Sequence, residues 1–293
     1  MIPLKDNLSC KVFPWVTIAL LVLNFIGFGI ELSMGSNLQP FLMKWTVVPA
    51  QFTHALVTGD IAAVMFGLLT MVTASFLHGG WMHIIGNMIF LQAFARSVEA
   101  RMGSLRFAVF YLASCFAAWG LFLFSDPTAM VPALGASGAI AGVMGAYFAL
   151  YPKAEFKTII LIQGWPLWGI IPAWSFLTVW GGMQFVSGWG AIMDPSAADS
   201  VAYWAHIGGF LFGLIAAGIL ALITPDTGIC YVPLSCGCSC DGPCKKKNQL
   251  HRFRFLRWSD IPFFGRKDEE HCEHHHDHDK GQDGTSEDQG NKS

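Results

Sequence analysis

Seven apolar runs, near 13–31, 61–77, 81–95, 107–124, 133–151, 167–187 and 202–223, leave this chain few folds to choose from. A helix needs about 20 apolar residues to cross a hydrocarbon core about 30 Å thick, and shorter spans are tolerated locally. Charged residues make up only 13% of the chain against 53% hydrophobic, with a mean hydropathy of +0.47. A soluble domain of this length rarely carries so little charge, so the class is membrane protein. The formal net charge of −2 offers nothing to a polyanionic partner, and nucleic acid is excluded as one.

Charge decides how many runs cross. If 61–77 does not cross and the other six do, one side carries Lys5, Lys11, Arg96, Arg101, Arg106, Lys153 and Lys157, and the other only Lys44. Letting 61–77 cross would put Arg96, Arg101 and Arg106 beside the 188–202 loop, which carries no basic residue. The positive-inside rule therefore predicts six spans with both termini cytoplasmic. Residues 61–77 then belong to a long external loop, partly buried or interfacial. Lys5 and Lys11 before the first run imitate a secretory signal, but the run is too long and no small-x-small site follows. It is read as an uncleaved span.

Gly and Pro punctuate the rest. "YPKAEF" (151–156) and "QGWP" (163–166) bracket a short cytoplasmic loop, and "SGWGAIMDPSAADS" (187–200) forms an external one. No internal repeat is present. The expected division is a six-span membrane domain over 1–224 and a cytoplasmic tail over 225–293, mostly disordered because it lacks periodicity from about Arg266.

Ionisable or strongly polar groups inside spans are expensive and therefore candidates for function. Few exist here. The second span holds "HGGWMHIIGN", with His78, His83 and Asn87; the fourth opens on Ser137; the sixth opens with "AHIGGFLFG", which holds His206. Under the six-span topology these three spans all run inward, so the groups gather at one depth near the outer surface. Residues 138–151 make about 21 Å of helix at 1.5 Å per residue. Pro132 and Gly135 oppose an N-terminal extension, so the helix start is sunk about 10 Å below the outer surface of a 30 Å core. Such backbone is tolerated only inside protein or beside a wet cavity. "VPALGA" should thus be a dipping loop that delivers Ser137 to water. The unpaired N–H groups and positive dipole of a helix start would stabilise an alkoxide or oxyanion there.

Spacing supports the same picture. His83 and Asn87 are i and i+4, on one helix face. His206, Gly209 and Gly213 form one small-residue stripe, and Gly138, Gly142 and Gly145 another, which lets two helices approach closely. A Ser–His hydrogen bond between helices needs that approach, at about 2.6–3.2 Å. Taken singly, Ser137 reads as packing between helices, His206 as structural and Asn87 as a helix tie. Two His and one Asn lack the carboxylate or thiolate that would hold a cation in a membrane. No cofactor and no metal are expected at this site.

These residues resemble the rhomboid intramembrane serine proteases. Gly135-Ala136-Ser137-Gly138 matches the family's G-x-S-G, Ala205-His206…Gly209…Gly213 its A-H-x-x-G-x-x-x-G, and His83…Asn87 its second-span H-x-x-x-N. "FLHGGWM" and "VEARMGSLRFAVFYL" (98–112) are similar in style to the family, and the likeness covers roughly 13–223. It implies an all-α six-helix rhomboid-like bundle and a Ser137–His206 dyad, with His83, Asn87 and the Ser137 backbone N–H as oxyanion hole. With no Asp or Glu in the spans near the site, a dyad rather than a triad is expected. The resemblance also implies that loop 188–202 caps the site and that the fifth span admits a substrate helix laterally. Partners would be the lipid bilayer and transmembrane protein substrates, single-span proteins cleaved in or near the membrane. Ala141 stands where the family often has a ring stacked on the catalytic histidine, so another group must orient His206. "KWTVVP" (44–49) replaces a frequent Trp-Arg pair. Other classes predict other residues: a proteolytically silent relative acting as a chaperone typically lacks the Ser or His, and a metal transporter needs carboxylates or extra His deep in its spans.

Cys236, Cys238, Cys240 and Cys244 form C-x-C-x-C-x3-C, and 271–279 reads "HCEHHHDHD". In a reducing cytoplasm disulfides are disfavoured, Cys10 and Cys115 are read as inert, and the tail is a candidate for metal ions. Its basic aromatic stretch 245–258 is a candidate for anionic lipid. Without a transit peptide or large extra domain, the expected location is a prokaryotic inner membrane.

Overall fold

The computed structural model describes residues 1–162, 165–194, 201–224 and 230–231. The tail stretches 236–244, 245–258 and 271–279 lie outside the described residues, as do residues 195–200 of the expected 188–202 cap, of which 188–193 are helical rather than loop. Two short strands, β1 (Ile2–Asp6) and β2 (Ser9–Cys10), lead into α1 (Trp15–Ser33). A 3-10 turn and three helices follow: α2 (Leu38–Trp45), α3 (Pro49–Thr58) and α4 (Ile61–Ala74). Next come α5 (Trp81–Met102), α6 (Ser104–Ser125) and α7 (Ser137–Leu150). The hairpin β3 (Glu155–Ile162) and β4 (Trp165–Pro172) precedes α8 (Ala173–Met193), α9 (Tyr203–Ile223) and β5 (Cys230–Tyr231). Among the described residues α1, α6 and α9 are long and apolar enough to cross a membrane, while α4 and α7 are shorter apolar helices.

The fold is mostly helical but not all-α. Within 151–172, expected as a loop running into an apolar span, 155–162 and 165–172 form strands in a sheet of order β1-β3-β4, antiparallel throughout. The reason is a period of two: Phe156 and Thr158 are buried while Glu155 and Lys157 are exposed. An apolar run in β4 hid this alternation, and α8 begins only after Pro172.

α7 sits innermost, buried without interruption from Gly138 to Tyr147. A Cβ on Gly209 would overlap the Gly138 carbonyl, and one on Gly213 the Gly142 carbonyl. Both glycines are therefore needed for α9 to lie backbone-to-backbone on α7. At the opposite end from Ser137, the buried Glu99 and the half-buried Asp6 organise the bundle. Glu99, at the C-terminal end of α5, accepts from Val16 N (2.9 Å), Thr17 N (2.8 Å), Thr17 Oγ1 (2.7 Å) and Ser104 Oγ (2.7 Å). It thereby caps the start of α1 with a negative charge. Asp6 accepts from Ser97 Oγ (2.6 Å) and Tyr147 OH (3.0 Å), tying the sheet to α5 and α7, and burial raises its pKa.

One expectation about the cysteines is overturned. Cys10 is not an inert thiol: β2 pairs with β5 in a register that sets Cys10 opposite Cys230, and the two form a disulfide. A topology argument from charge speaks only of the compartment. It cannot see a strand pairing that brings together cysteines 220 residues apart.

Candidate active site

The approach to Ser137 is irregular backbone pinned from several sides. Val47 and Ala133 exchange backbone hydrogen bonds (3.0 and 2.8 Å), and Gly135 N donates to Ala74 O at 2.9 Å. The Ala74 end of α4 is itself fixed: Trp119 Nε1 of α6 donates to Ser75 Oγ (3.0 Å), which donates to Met71 O (2.9 Å). Segment 61–77 is thus a buttress for the loop before α7. Ala136 is fully buried, and the helix starts at Ser137, just after Gly135. Its 14 residues give about 21 Å.

Three side chains from three helices meet near this start. His206, in the first turn of α9, brings Nε2 to 2.8 Å from Ser137 Oγ. His83, in the first turn of α5, faces the same space from the other side. A Cβ built on Gly135 would stand 2.8 Å from His83 Nε2 and 3.5 Å from Ser137 Oγ. Gly135 has a φ of 129°, which side-chain-bearing residues rarely adopt. The glycine therefore keeps open a gap bounded by an imidazole nitrogen and a hydroxyl oxygen. Asn87, one turn beyond His83, is buried, and its Nδ2 has no hydrogen-bond partner. An orphaned buried donor is rare enough to need a reason.

His83 is held by groups the sequence reading did not single out. Its Nδ1 lies 2.5 Å from the His78 carbonyl oxygen, and a carbonyl only accepts, so Nδ1 carries the proton. That carbonyl is fixed in turn by Glu31, whose carboxylate accepts from His78 N (2.7 Å) and Gly79 N (2.8 Å). An acid does therefore lie on a span close to the site, against the expectation of none. It binds backbone rather than either member of the Ser137–His206 pair. Its signal was available: a single Glu ending the first apolar run. His78 belongs to the turn before α5 rather than to the helix, because the helix begins only after the Gly79–Gly80 pair.

The orienting group that Ala141 fails to supply comes from α8. Gln184 Oε1 lies 2.7 Å from His206 Nδ1, and the Trp180 ring stands 6.0 Å from the imidazole at 37°. Tyr203 meets it edge-on at 6.5 Å. Nothing local marked Gln184, a lone amide in a run of Gly, Met and aromatics.

The chain is a mostly helical protein with membrane-length apolar helices and a hydrogen-bonded serine–histidine pair at the start of a buried helix. The rhomboid domain model matches residues 65–223, and the chain belongs to the rhomboid family. It is 30% identical over 154 residues to rhomboid protein 1, mitochondrial, of Saccharomyces cerevisiae, covering 50% of this chain and 40% of that protein. It is 29% identical over 181 residues to presenilin-associated rhomboid-like protein A, mitochondrial, of Danio rerio, covering 60% and 41%. With rhomboid protease GlpG of Yersinia enterocolitica it shares 29% over 147 residues, covering 50% and 46%. The matched region is thus less than half the length of each of these relatives. Proteases and mitochondrial proteins both occur among them by name.

Proposed function

We propose that this protein is an intramembrane serine endopeptidase that cleaves single-span membrane proteins in or near the bilayer. The observation that carries the reading is the 2.8 Å hydrogen bond from Ser137 Oγ to His206 Nε2 at a helix start. In this reading Ser137 Oγ attacks the scissile carbonyl carbon while its proton passes to His206 Nε2. The oxyanion forms in the gap that Gly135 keeps open. Asn87 Nδ2, the Ser137 backbone N–H and His83 Nε2 donate to it. Because His83 Nδ1–H is committed to the His78 carbonyl, its Nε2 donates only when the ring carries both protons. Collapse releases the amine, protonated by His206, and leaves an acyl-Ser137. His206 then deprotonates a water that hydrolyses the ester and regenerates Ser137.

Six spans, α1, α5, α6, α7, α8 and α9, fit the reading, with both termini cytoplasmic, where β2–β5 pairing and the burial of Cys230 shield the Cys10–Cys230 bridge from reducing thiols. The arrangement is supported by the seven-to-one bias of basic residues. Residues 1–224 are the catalytic domain and 225–293 the cytoplasmic tail, a candidate for metal ions or anionic lipid. Residues 194–202, the part of the expected loop that α8 leaves, are the cap, α8 the lateral entrance, and a prokaryotic inner membrane the location.

The test is reconstitution in liposomes with a model transmembrane substrate, comparing wild type with Ser137→Ala and His206→Ala. Cleavage by wild type alone, with fluorophosphonate labelling confined to Ser137, is expected. Persistent cleavage in either variant would refute the dyad, and an inert wild type would favour a binding role.

A further inference from the structure

Resting on the proteolytic reading above, we propose that Gln184 is the positioning residue of the Ser137–His206 pair. It makes the pair's competence depend on the seating of α8. His206 needs one particular protonation state to act: Nε2 must offer a lone pair to the Ser137 O–H, so the proton of the neutral ring must sit on Nδ1. A neutral imidazole in an apolar bundle has no intrinsic reason to choose that form. Gln184 supplies one, because an amide oxygen 2.7 Å from Nδ1 accepts a hydrogen bond only from a protonated nitrogen.

The amide's own orientation is not arbitrary. Its Nε2 donates to the Trp180 carbonyl at 3.4 Å, one helical turn back, and this leaves Oε1 facing the imidazole. A flipped amide would present N–H to N–H and lose both contacts. Trp180 closes the same face of the ring and packs on Phe210 of α9 at 5.9 Å. One face of α8, at i and i+4, thus does for His206 what a ring at position 141 would do from α7. A neutral acceptor suits the location. A carboxylate there would have to be buried in a low-dielectric bundle, whereas an amide fixes the tautomer without adding charge.

Because the acceptor sits on α8, its grip follows that helix. The cytoplasmic-sheet end of α8 is anchored, with Ala173 N donating to Ala154 O at 2.7 Å, Trp174 N to Pro152 O at 3.1 Å, and Phe176 and Leu177 buried. Its far end is held by Trp204 Nε1 donating to Gly188 O at 3.1 Å. Between them Met183, Phe185 and Val186 are exposed, and Gln184 reaches inward to the pair. Outward displacement of this stretch by about 1 Å would take a 2.7 Å contact out of hydrogen-bonding range and release the tautomer.

The experiment uses full-length protein in detergent and a fluorophosphonate probe, followed by cleavage of a transmembrane substrate in liposomes. Wild type is compared with Gln184→Leu, Gln184→Asn and Gln184→Glu. Gln184→Leu should label Ser137 about 10- to 100-fold more slowly and lower kcat with little change in KM. Gln184→Glu, which keeps an oxygen acceptor, should recover much of the rate while moving the midpoint of the pH–rate profile. A group that merely packs would do neither. Independently of any variant, the 15N shifts of His206 in wild type should report a protonated Nδ1 and a bare Nε2. A mixture of tautomers there, or equal labelling rates and pH profiles for wild type and Gln184→Leu, overturns the positioning role alone. A folded wild type that the probe never labels overturns the proteolytic reading, and the positioning role with it.

Discussion

Replacing Gly135 with alanine puts a methyl group where the site needs a gap. The new Cβ would stand 2.8 Å from His83 Nε2, 2.9 Å from its Cε1 and 3.5 Å from Ser137 Oγ. Ordinary van der Waals contact begins at 3.4 Å, so the imidazole must retreat by about 0.6 Å. It has little freedom to do so, with Nδ1 bound to the His78 carbonyl and that carbonyl fixed by Glu31. The backbone adds strain, since a φ of 129° costs a residue with a side chain about 1–3 kcal/mol. Two effects therefore separate by assay. Thermal unfolding in detergent should register a loss of about 1–3 kcal/mol. Substrate cleavage should lose about 10²- to 10³-fold in kcat, the loss expected when an oxyanion donor is displaced or its pocket filled. KM should change far less, because the methyl group obstructs only where charge develops. A Gly135→Ala protein that cleaves with wild-type kcat would show that the space beside His83 Nε2 is not where the oxyanion forms.

Gly213→Ala tests the helix contact: its Cβ overlaps the Gly142 carbonyl, so α9 must lift from α7 and carry His206 with it. A misplacement near 1 Å should slow Ser137 labelling about 10²-fold, and unchanged labelling would mean the pair tolerates a looser bundle. Glu31→Gln keeps the shape but turns an N–H toward a backbone N–H. Losing a charge-assisted bond worth about 1.5–3 kcal/mol should lower the unfolding midpoint and slow labelling together; an unaltered midpoint would sink the clamp. For Asp6, burial raises the folded pKa above 3.8. Protonated Asp6 is therefore favoured in the folded state, and stability declines as pH rises above 3.8 through the folded value. Asp6→Asn should flatten that decline above pH 3.8, and an identical slope would refute it. Protein isolated under oxidising conditions should yield a linked Cys10–Cys230 peptide pair on proteolysis, and two separately alkylated peptides would place β2 and β5 apart.

Much of the candidate site was legible because its residues carry signals that survive without coordinates. Ser137 stood out as a hydroxyl between glycines at a short helix start, and His83 and Asn87 as polar residues four apart in an apolar run. The glycine stripes announced a close helix pair, and a backbone-to-backbone contact is what α7 and α9 make. The β3–β4 hairpin was missed because its second strand is apolar on both sides and so has no alternation to read. Gln184 was missed for a different reason. An amide has no special meaning on its own helix, and acquires one only from the imidazole opposite, 22 residues on.

By itself the sequence determined which segments are apolar, that a helix begins beside Gly135, and which polar groups the apolar runs carry. These are local properties, written in composition, period and the conformational limits of Gly and Pro. The tertiary structure alone decided partnership. Glu31 meets the turn at His78, Glu99 meets the start of α1, Gln184 meets His206 Nδ1, and Cys10 meets Cys230. Each of these joins groups on elements with no periodic relation to one another. A buried polar group must find a partner wherever packing brings one within about 3 Å. The identity of that partner is a property of the packed bundle, not of either segment.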